Sequence, residues 1–373
     1  MPVNYEQLRP QIVRACRGIK ESRKAAAQQR TDLMKTFRET EASDLNERMA
    51  EILTSFSEEK FAVPGTDAIG AGFPAPSQPE APVRILACDG SQITPNPHDE
   101  LSFGLINTAV FEYCPHSGQT PRIFRDTRYH ESDGSLTEGR IGVMRDAAEK
   151  THLAVMAEEL QGELPILALC DGSLELFMES REIKDLAPLK EQYLEAMVRL
   201  DRLNVPAVGY IDRPRSNPVL TMLALLNGTT AEESYGQLCD ADLFSQLLLP
   251  GERSAVFGMN SRFNASVPQE LQICFFYLNV GRPQHPYLSR VELTSRTAAD
   301  PSQVDRIHAN LLEQAGLLND HPYPYVLHRA HECAVVTYRE KDQIKDMLIR
   351  ELIRNGEWVG EKSNKQFAKD LIS

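Results

Sequence analysis

The pattern of apolar and polar residues changes near residue 60. Before that point apolar residues recur at helical spacing and no strand pattern is present, which predicts helices over residues 5–58. We assign residues 1–60 to an N-terminal helical segment suited to dimer or partner contact. Residues 61–83 are rich in Pro, Gly and Ala, which indicates a linker or a long exposed loop.

From residue 84 onward, strand and helix patterns alternate. The predicted order is strands at 84–89, 101–113 and 122–130, a helix at 139–160, a strand at 165–170, a helix at 186–203 and a strand at 205–211. A helical segment at 240–249, paired strands at 271–281 and 287–294, and helices at 302–316, 324–338 and 341–354 follow. This order predicts one α/β domain with a mixed sheet over residues 84–356, flanked by helices and followed by a polar tail at 357–373.

Two of the predicted strands end on the same residues. Residues 85–91 read ILACDGS and residues 166–173 read ILALCDGS. An aspartate at the carboxyl end of a buried strand points into the crevice where open α/β sheets bind ligands, so Asp89 and Asp171 are predicted to share a site. Gly90 and Gly172 would let the chain turn sharply. The alternative is that each Asp-Gly-Ser only closes a turn.

A third carboxylate follows from the lengths of the elements. The strand that ends at Asp171 rises about 20 Å over six residues, and the preceding helix descends ~1.5 Å per residue. The helical residue level with Asp171 should therefore lie about 13 residues before the helix end. Glu149 is at that level, whereas Glu158 is near the far end of the helix. The alternative is that Glu149 belongs to a solvated helix face.

Three converging carboxylates repel one another unless a divalent cation lies between them. Oxygen ligands suit Mg²⁺ or Mn²⁺, and such sites commonly carry out phosphoryl-transfer chemistry. Acids on the first strand, on the helix and on the fourth strand are the RNase H-like arrangement. The predicted fold is therefore an RNase H-like mixed sheet with an N-terminal helical segment and C-terminal helices.

The segment near the carboxyl end carries two further candidate groups. On a helix that begins near Pro324, small and apolar residues flank His331, which could ligate a metal or protonate a leaving group. The alternative is a packed or exposed histidine, and His328 has the pattern of the solvent-facing residue. Tyr323, just before the helix, could bind a phosphate or orient water.

Composition narrows the function only slightly. The chain has 373 residues and a formal net charge of −13, so any nucleic-acid surface must be a local patch. The seven cysteines include no CxxC pair and are typical of buried residues in a reducing compartment. The N-terminus has no signal-peptide pattern and no apolar run approaches ~20 residues, so we predict a soluble, cytoplasmic protein.

Six sequence segments, in this order and spacing, resemble the NurA family of DNA-end-processing nucleases. The segments are CDGS at 88–91, CDGSL at 170–174, GYIDRPRS at 209–216, DADLFSQLLLPGERSAVF at 240–257, the FFYLNVG…RVE run at 275–292, and YPYVLHRAH at 323–331. The resemblance covers roughly residues 84–340.

This resemblance implies an RNase H-like core, DNA cleavage that depends on Mn²⁺ (or Mg²⁺), a homodimer, and work with a HerA-type hexameric translocase in 5′–3′ end resection. The family's metal-site acids would correspond to Asp89, Glu149 and Asp171. Its C-terminal tyrosine and histidine would correspond to Tyr323 and His331, both catalytic candidates, with His331 also a candidate metal ligand. The position after GYI need not be acidic in the family, so we do not assign Asp212 as a ligand.

The resemblance also suggests a mechanism and a DNA-binding surface. Asp89 and Asp171 would hold one metal ion, and Glu149 would share it or hold a second. His331 would assist the leaving group or the second metal. Candidate contacts to the DNA backbone are Arg213 and Arg215, with Arg122, Arg125 and Arg128; Arg253 and Arg290 would have structural or DNA-contacting roles.

Two other classes of function remain open at this point. The chain could be a non-catalytic NurA-like subunit that clamps DNA or regulates a translocase. It could also be an RNase H-like enzyme acting on RNA. Phosphatases with a nucleophilic aspartate commonly have a second aspartate two residues later. Ser91 occupies that position after Asp89, which disfavours a phosphatase.

Overall fold

The computed structural model describes most of the chain in two units. The described residues are 3–41, 45–76, 82–96, 101–132, 136–176, 186–318 and 321–357. The first unit contains Met1–Ser77 and Ile211–Leu312, and the second contains Gln78–Tyr210 and Glu313–Ser373. The predicted polar tail at 357–373 lies outside the described residues, apart from Glu357.

The elements follow one another along the described residues in a mixed α and β order. They are α1 (Tyr5–Glu41), α2 (Leu45–Ser55), β1 (Phe61–Pro64), β2 (Arg84–Ile93), β3 (Phe103–Tyr113), β4 (Arg122–Glu131), α3 (Glu138–Glu159), β5 (Ile166–Asp171), α4 (Ala187–Arg202), β6 (Ala207–Asp212), α5 (Pro218–Leu226), α6 (Ala231–Tyr235), α7 (Asp240–Leu247), β7 (Phe257–Asn260), β8 (Ile273–Asn279), β9 (Leu288–Thr294), α8 (Ser295–Ala298), α9 (Pro301–Gly316), α10 (Tyr325–Ala334) and α11 (Tyr338–Arg354). Two short 3₁₀ helices, Asn264–Ser266 and Gln269–Leu271, precede β8.

The second unit has a mixed sheet in the order β6-β5-β2-β3-β4. β2 is antiparallel to β3 and parallel to β5, and β5 is parallel to β6. If β2 to β6 are numbered 1 to 5 by their order in the chain, the sheet read from β4 to β6 has the strand order 3-2-1-4-5. Helices α3 and α10 pack on β2 and β3. The predicted RNase H-like mixed sheet with flanking helices is confirmed.

The central strands of this sheet are apolar because both faces are covered. Ile85, Leu86 and Cys88 of β2 are fully buried, and β3 is buried along nearly its whole length. Continuous apolar strands of this kind are typical of sheets covered by helices on both faces. In α3, Thr137 caps the first turn by accepting a hydrogen bond from the backbone N–H of Arg140.

β2 is longer than the sequence predicts, and the difference affects the site. The strand continues past Asp89 because Gly90, Ser91 and Ile93 stay paired with β3. Asp89 therefore lies within the strand, and Gly90 is extended instead of forming the predicted turn. In β5 the prediction is correct: the strand ends at Asp171, and Gly172 has a φ of +89°, a turn conformation that favours glycine.

The first unit contains an antiparallel sheet in the order β1-β7-β8-β9. Its core includes Phe37 of α1, Phe244 of α7, and Phe257, Phe275 and Tyr277 of the sheet. The segment predicted as a linker differs in part: residues 61–64 form β1, because this apolar stretch pairs with β7, and Ile69 is also buried.

Helix α1 is packed at one end and open at the other. Leu33 and Phe37 are buried, and Arg30 donates from Nε to Asp242 at 2.9 Å. Near its start, Tyr5 and Ile12 are exposed apolar side chains. Among the described residues, no helix combines the length and apolar character that crossing a bilayer requires.

Candidate functional site

Two aspartates lie side by side on the central strands of the second unit. In the parallel register of β2 and β5, Cys88 is level with Cys170. The next residue is Asp89 on β2 and Asp171 on β5, so both carboxylates lie at the same edge of the sheet. The structure thus brings together the two acids of the repeated Asp-Gly-Ser pattern.

The third acid, Glu149, reaches the same edge from α3. Its side chain is buried, with 4% of its surface exposed. A Cβ atom placed on Gly90 would lie 2.7 Å from Glu149 Oε1, so the carboxylate rests against the backbone next to Asp89. Glu158 is the alternative acid on the same helix, and it instead forms an ion pair with Arg199 near the surface. The geometry therefore favours Glu149.

Glu149 is held between two cations. Oε1 lies 3.3 Å from Nε of Arg145, and Oε2 lies 3.4 Å from Nζ of Lys150. Burial raises the pKa of Glu149 to about 7; the charges of Lys150 and Arg145 oppose this rise, and those of Asp146 and Asp89 add to it. Sequence reasoning did not identify Arg145 or Lys150. The (i, i+4) spacing of Arg145 and Glu149 was the one available signal.

Tyr323 supports the strand acid Asp171. Burial raises the pKa of Tyr323 well above its usual range, and the charge and hydrogen bond of Asp171 raise it further. The phenol therefore remains protonated and donates to the Asp171 carboxylate. The Tyr323 ring packs edge-to-face against Tyr210, with 5.6 Å between centroids. This contact fixes the ring beside the sheet.

His331 contacts the other strand acid. Its Nδ1 lies 2.7 Å from Oδ2 of Asp89, although the two residues are 242 positions apart in sequence. The imidazole is 60% exposed. An Nδ1–H that donates to a carboxylate leaves Nε2 free to accept a proton or bind a metal. His328 is exposed, and its Nε2 lies 3.5 Å from Oε1 of Glu332.

Two polar residues of the sheet hold the end of α10, which carries His331. Ser91 Oγ donates to the carbonyl of Ala334 at 2.5 Å, and Asn107 Nδ2 donates to the same carbonyl at 2.7 Å. Ser91 Oγ also accepts from the backbone N–H of Val336 at 3.1 Å. These bonds end the helix at Ala334, before the predicted end at residue 338. Sequence reasoning assigned no such role to Ser91 or Asn107.

The donor types at this edge suit a divalent cation, but their present contacts are ion pairs and hydrogen bonds. Within the part of the chain that the structure describes, no three His, Cys, Asp or Glu residues are arranged as ligands around one point. Asp89 engages His331, and both oxygens of Glu149 face cations. Three carboxylates and an imidazole are nevertheless a donor set that Mn²⁺ or Mg²⁺ accepts.

The candidate DNA-contacting arginines differ in exposure. Arg213 and Arg215 are exposed. Arg213 has a φ of +45° and donates from Nε to the Tyr287 hydroxyl at 2.8 Å. Arg253 is 6% exposed and lies 4.3 Å above the ring of Phe73. This burial favours the structural role of Arg253 over DNA contact.

The remaining candidates also have protein partners. Buried Arg290 donates to Glu292 at 2.7 Å, which indicates a structural role. On the exposed strand β4, Arg122 pairs with Glu112, and Arg128 pairs with Asp126 at 2.8 Å. Arg125, also on β4, donates to the carbonyl of Cys333 at 3.3 Å.

One family model matches most of the chain. The NurA domain model matches residues 83–336. The fold is similar to that of the NurA nuclease from Sulfolobus solfataricus, with 13% identity, 84% of this chain and 95% of that chain covered, and a TM-score of 0.49.

Other similar structures are those of a NurA bound to dAMP and manganese (12% identity, 92% of this chain and 98% of that chain, TM-score 0.39) and of the catalytic domain of human Endonuclease V (12% identity, 81% and 95%, TM-score 0.36). No curated protein sequence matches the chain significantly.

Proposed function

This chain belongs to the NurA family of nucleases, and we propose that it is a metal-dependent enzyme that hydrolyses DNA phosphodiester bonds. One observation carries the proposal. Acids from β2, β5 and α3 meet at one sheet edge, and the imidazole of His331 on α10 lies 2.7 Å from the first of them, Asp89. The family match at 83–336 contains all of these residues.

The residues have distinct roles in the proposed mechanism. A divalent cation held by Asp89, Asp171 and Glu149 would activate water and stabilise the leaving oxygen. Tyr323 donates to Asp171 and keeps its carboxylate oriented. Asp89 holds the Nδ1–H of His331, so Nε2 faces outward. A proton that Nε2 takes up from the attacking water or from solvent can then pass to the leaving oxygen.

The DNA backbone would contact exposed arginines of the first unit. Arg213 and Arg215 are exposed, whereas Arg253 is buried and is not included in this surface. Because the chain has a net charge of −13, binding to phosphates must depend on such a local group of cations.

We further propose a homodimer that works in the cytoplasm with a HerA-type hexameric translocase, in 5′–3′ end resection during double-strand break repair. Family membership supports these steps. The exposed apolar side chains at the start of α1, among them Tyr5 and Ile12, fit a helix that contacts another protein. Seven free cysteines fit a reducing compartment.

The test compares the nuclease activity of variants at Asp89 on the sheet and at Glu149 and Glu158 on α3. The full-length protein is incubated with single-stranded DNA, duplex DNA and RNA, with Mn²⁺ or with EDTA. We expect Mn²⁺-dependent cleavage of DNA that is abolished in D89N and E149Q. The variant E158Q should retain wild-type activity, because Glu158 lies at the surface on Arg199.

The outcomes separate the alternatives. Cleavage of RNA alone would contradict the proposed substrate. No cleavage by the wild-type protein with Mn²⁺ would support a non-catalytic, DNA-clamping subunit. Full activity of D89N would overturn the assignment of the site.

A further inference from the structure

The two cations that hold Glu149 differ in their freedom to move. Lys150 is 3% exposed, and its Nζ contacts Oε2 at 3.4 Å. Arg145 is 34% exposed, and its Nε approaches Oε1 at 3.3 Å. Each oxygen of the carboxylate therefore has its own cation, one sealed in the interior and one near the surface.

Arg145 lies on the side of Glu149 that faces β2. A Cβ on Gly90 would be 2.7 Å from Glu149 Oε1 and 2.8 Å from Arg145 Cγ, so both side chains cross the same short stretch of strand. The charge of Asp89, the next residue on that strand, also acts on Arg145. Arg145 thus lies beside the two acids that a shared cation would bind.

The contact of Arg145 with Oε1 is loose. Nε of Arg145 is buried but makes no hydrogen bond within the described residues, so its attraction to Oε1 is electrostatic only. Its Nη2 already has another partner, donating to Asp146 Oδ1 at 2.9 Å. The Arg145 side chain is about one-third exposed and keeps its bond to Asp146, so the guanidinium can leave Oε1 without becoming an unpaired buried charge.

Lys150, unlike Arg145, is held firmly on Glu149. Its ammonium is enclosed by the unit, and Glu149 is its hydrogen-bond partner. Withdrawing either member of a buried pair leaves an uncompensated charge in the interior, which is costly. Lys150 therefore stays on Oε2 whether or not Oε1 changes partner.

We propose that Arg145 is a place-holder cation: it pairs with Oε1 of Glu149 in the metal-free protein and yields that oxygen to a divalent cation, while Lys150 keeps Oε2 fixed. Both are positioning residues. The inference rests on the proposed function in one respect, that Glu149 serves the metal site.

The two cations should affect metal binding in opposite directions. Replacing Arg145 by Gln removes a competitor for Oε1, so R145Q should bind Mn²⁺ about three- to tenfold more tightly than the wild-type protein. Replacing Lys150 by Met removes a support behind the ligand, and K150M should bind Mn²⁺ about ten- to a hundredfold more weakly. Mn²⁺ binding is measured by electron paramagnetic resonance on the full-length protein without DNA.

Three further variants make the test specific. In an E149Q background, adding R145Q or K150M should no longer change Mn²⁺ affinity. The matched control R140Q, on the same helix, should bind as the wild type does. If K150M does not fold, the double variant E149Q/K150M should recover thermal stability in EDTA, because both members of the buried pair are then neutral.

Unchanged or weaker Mn²⁺ binding by R145Q would overturn the place-holder role. Wild-type affinity in K150M, or no recovery in the double variant, would overturn the role of Lys150. Wild-type protein that binds Mn²⁺ with this order of affinities but cleaves no DNA would contradict the proposed function and leave the inference standing. Wild-type protein that binds no Mn²⁺ would overturn both.

Discussion

At the scale of single residues, the position of the helix acid depends on a glycine of the neighbouring strand, Gly90. The sequence suggests that Gly90 is a turn residue, like Gly172. The structure shows it extended in β2, with Glu149 Oε1 and the stem of Arg145 against its Cα. Its role is therefore to leave room for the helix acid, and Asp-Gly-Ser has different roles in its two copies.

The variant G90A tests this role. The added methyl group would meet Glu149 Oε1 at 2.7 Å and Arg145 Cγ at 2.8 Å, distances too short for ordinary contact. We expect Mn²⁺-dependent cleavage to fall by at least about tenfold as Glu149 is displaced. The matched control is G142A on α3, where a Cβ meets nothing within 4 Å. It should keep its activity and gain about 0.5–1 kcal/mol in the free energy of unfolding. Equal activity of G90A and G142A would contradict the role assigned to Gly90.

At the scale of elements, the position of His331 depends on how α10 ends. Ser91 and Asn107 both donate to the carbonyl of Ala334, and Ser91 accepts from Val336. His331 is 242 positions from Asp89 in sequence, and the hydrogen bonds from β2 and β3 to the end of α10 bring the two residues together.

The variant S91A should separate positioning from metal binding. Loss of the hydroxyl leaves the N–H of Val336 without its partner and lowers the free energy of unfolding by about 1–2 kcal/mol. Because His331 moves with the end of α10, we expect kcat to fall while Mn²⁺ affinity stays near the wild-type value. Chemical denaturation and single-turnover cleavage measure the two effects. A fall in Mn²⁺ affinity equal to that in kcat would contradict this role.

Helices and strands with a clear apolar period were predictable from the sequence. Element ends that depend on hydrogen bonds to distant residues were not. The order of strands and helices from β2 to β6 follows the predicted order, and the RNase H-like sheet is confirmed. Helix α5 reads PVLTMLALL, which is apolar except for Thr221 and so shows no helical alternation of apolar and polar residues; the prediction does not include it. The ends of β2 and α10 depend on hydrogen bonds to distant residues, which local pattern cannot show.

For the candidate site, the sequence predicts the acids but not the cations that hold them. Asp171 lies at a strand end, as the pattern predicts, and element lengths predict Glu149 at its level. Asp89 lies beside Asp171 through the register of β2 with β5, although β2 continues to Ile93. The cations Arg145 and Lys150 are not predicted, because burial of both next to Glu149 depends on how α3 packs against the sheet.

At the scale of the whole molecule, buried titratable groups couple folding to pH. In the first unit, burial lowers the pKa of His308 to about 4, and its Nε2 donates to the carbonyl of Gly251 at 2.8 Å. Asp240 has the reverse shift: burial raises its pKa to about 6, although the N–H groups of Val219 and Leu220 and the hydroxyl of Tyr277 donate to it.

These shifts give stability contributions of opposite sign. Between pH 4 and 6.5 the unfolded chain binds a proton at His308 that the folded chain does not, so this contribution is lost as pH falls below 6.5. Asp240 binds its proton more strongly in the folded chain, so its contribution is lost as pH rises toward 6.

The variant H308Q isolates the first contribution. Between pH 7.5 and 4.5 the wild-type protein should lose up to about 3 kcal/mol of unfolding free energy through His308, and H308Q should lack that loss. Urea denaturation at several pH values measures the difference between the two proteins. A difference that does not change with pH would contradict the assignment.

The paired strands β2 and β5 have one more consequence. All seven cysteines lie in the described residues, and Cys16 is the exposed one, while Cys88 and Cys170 are buried directly behind Asp89 and Asp171. Burial raises the pKa of both of these thiols, so neither is a reactive thiolate in the folded chain. Alkylating reagents can reach them only when the strands separate, so their labelling rate is a built-in reporter of how often the acid-bearing edge of the sheet opens.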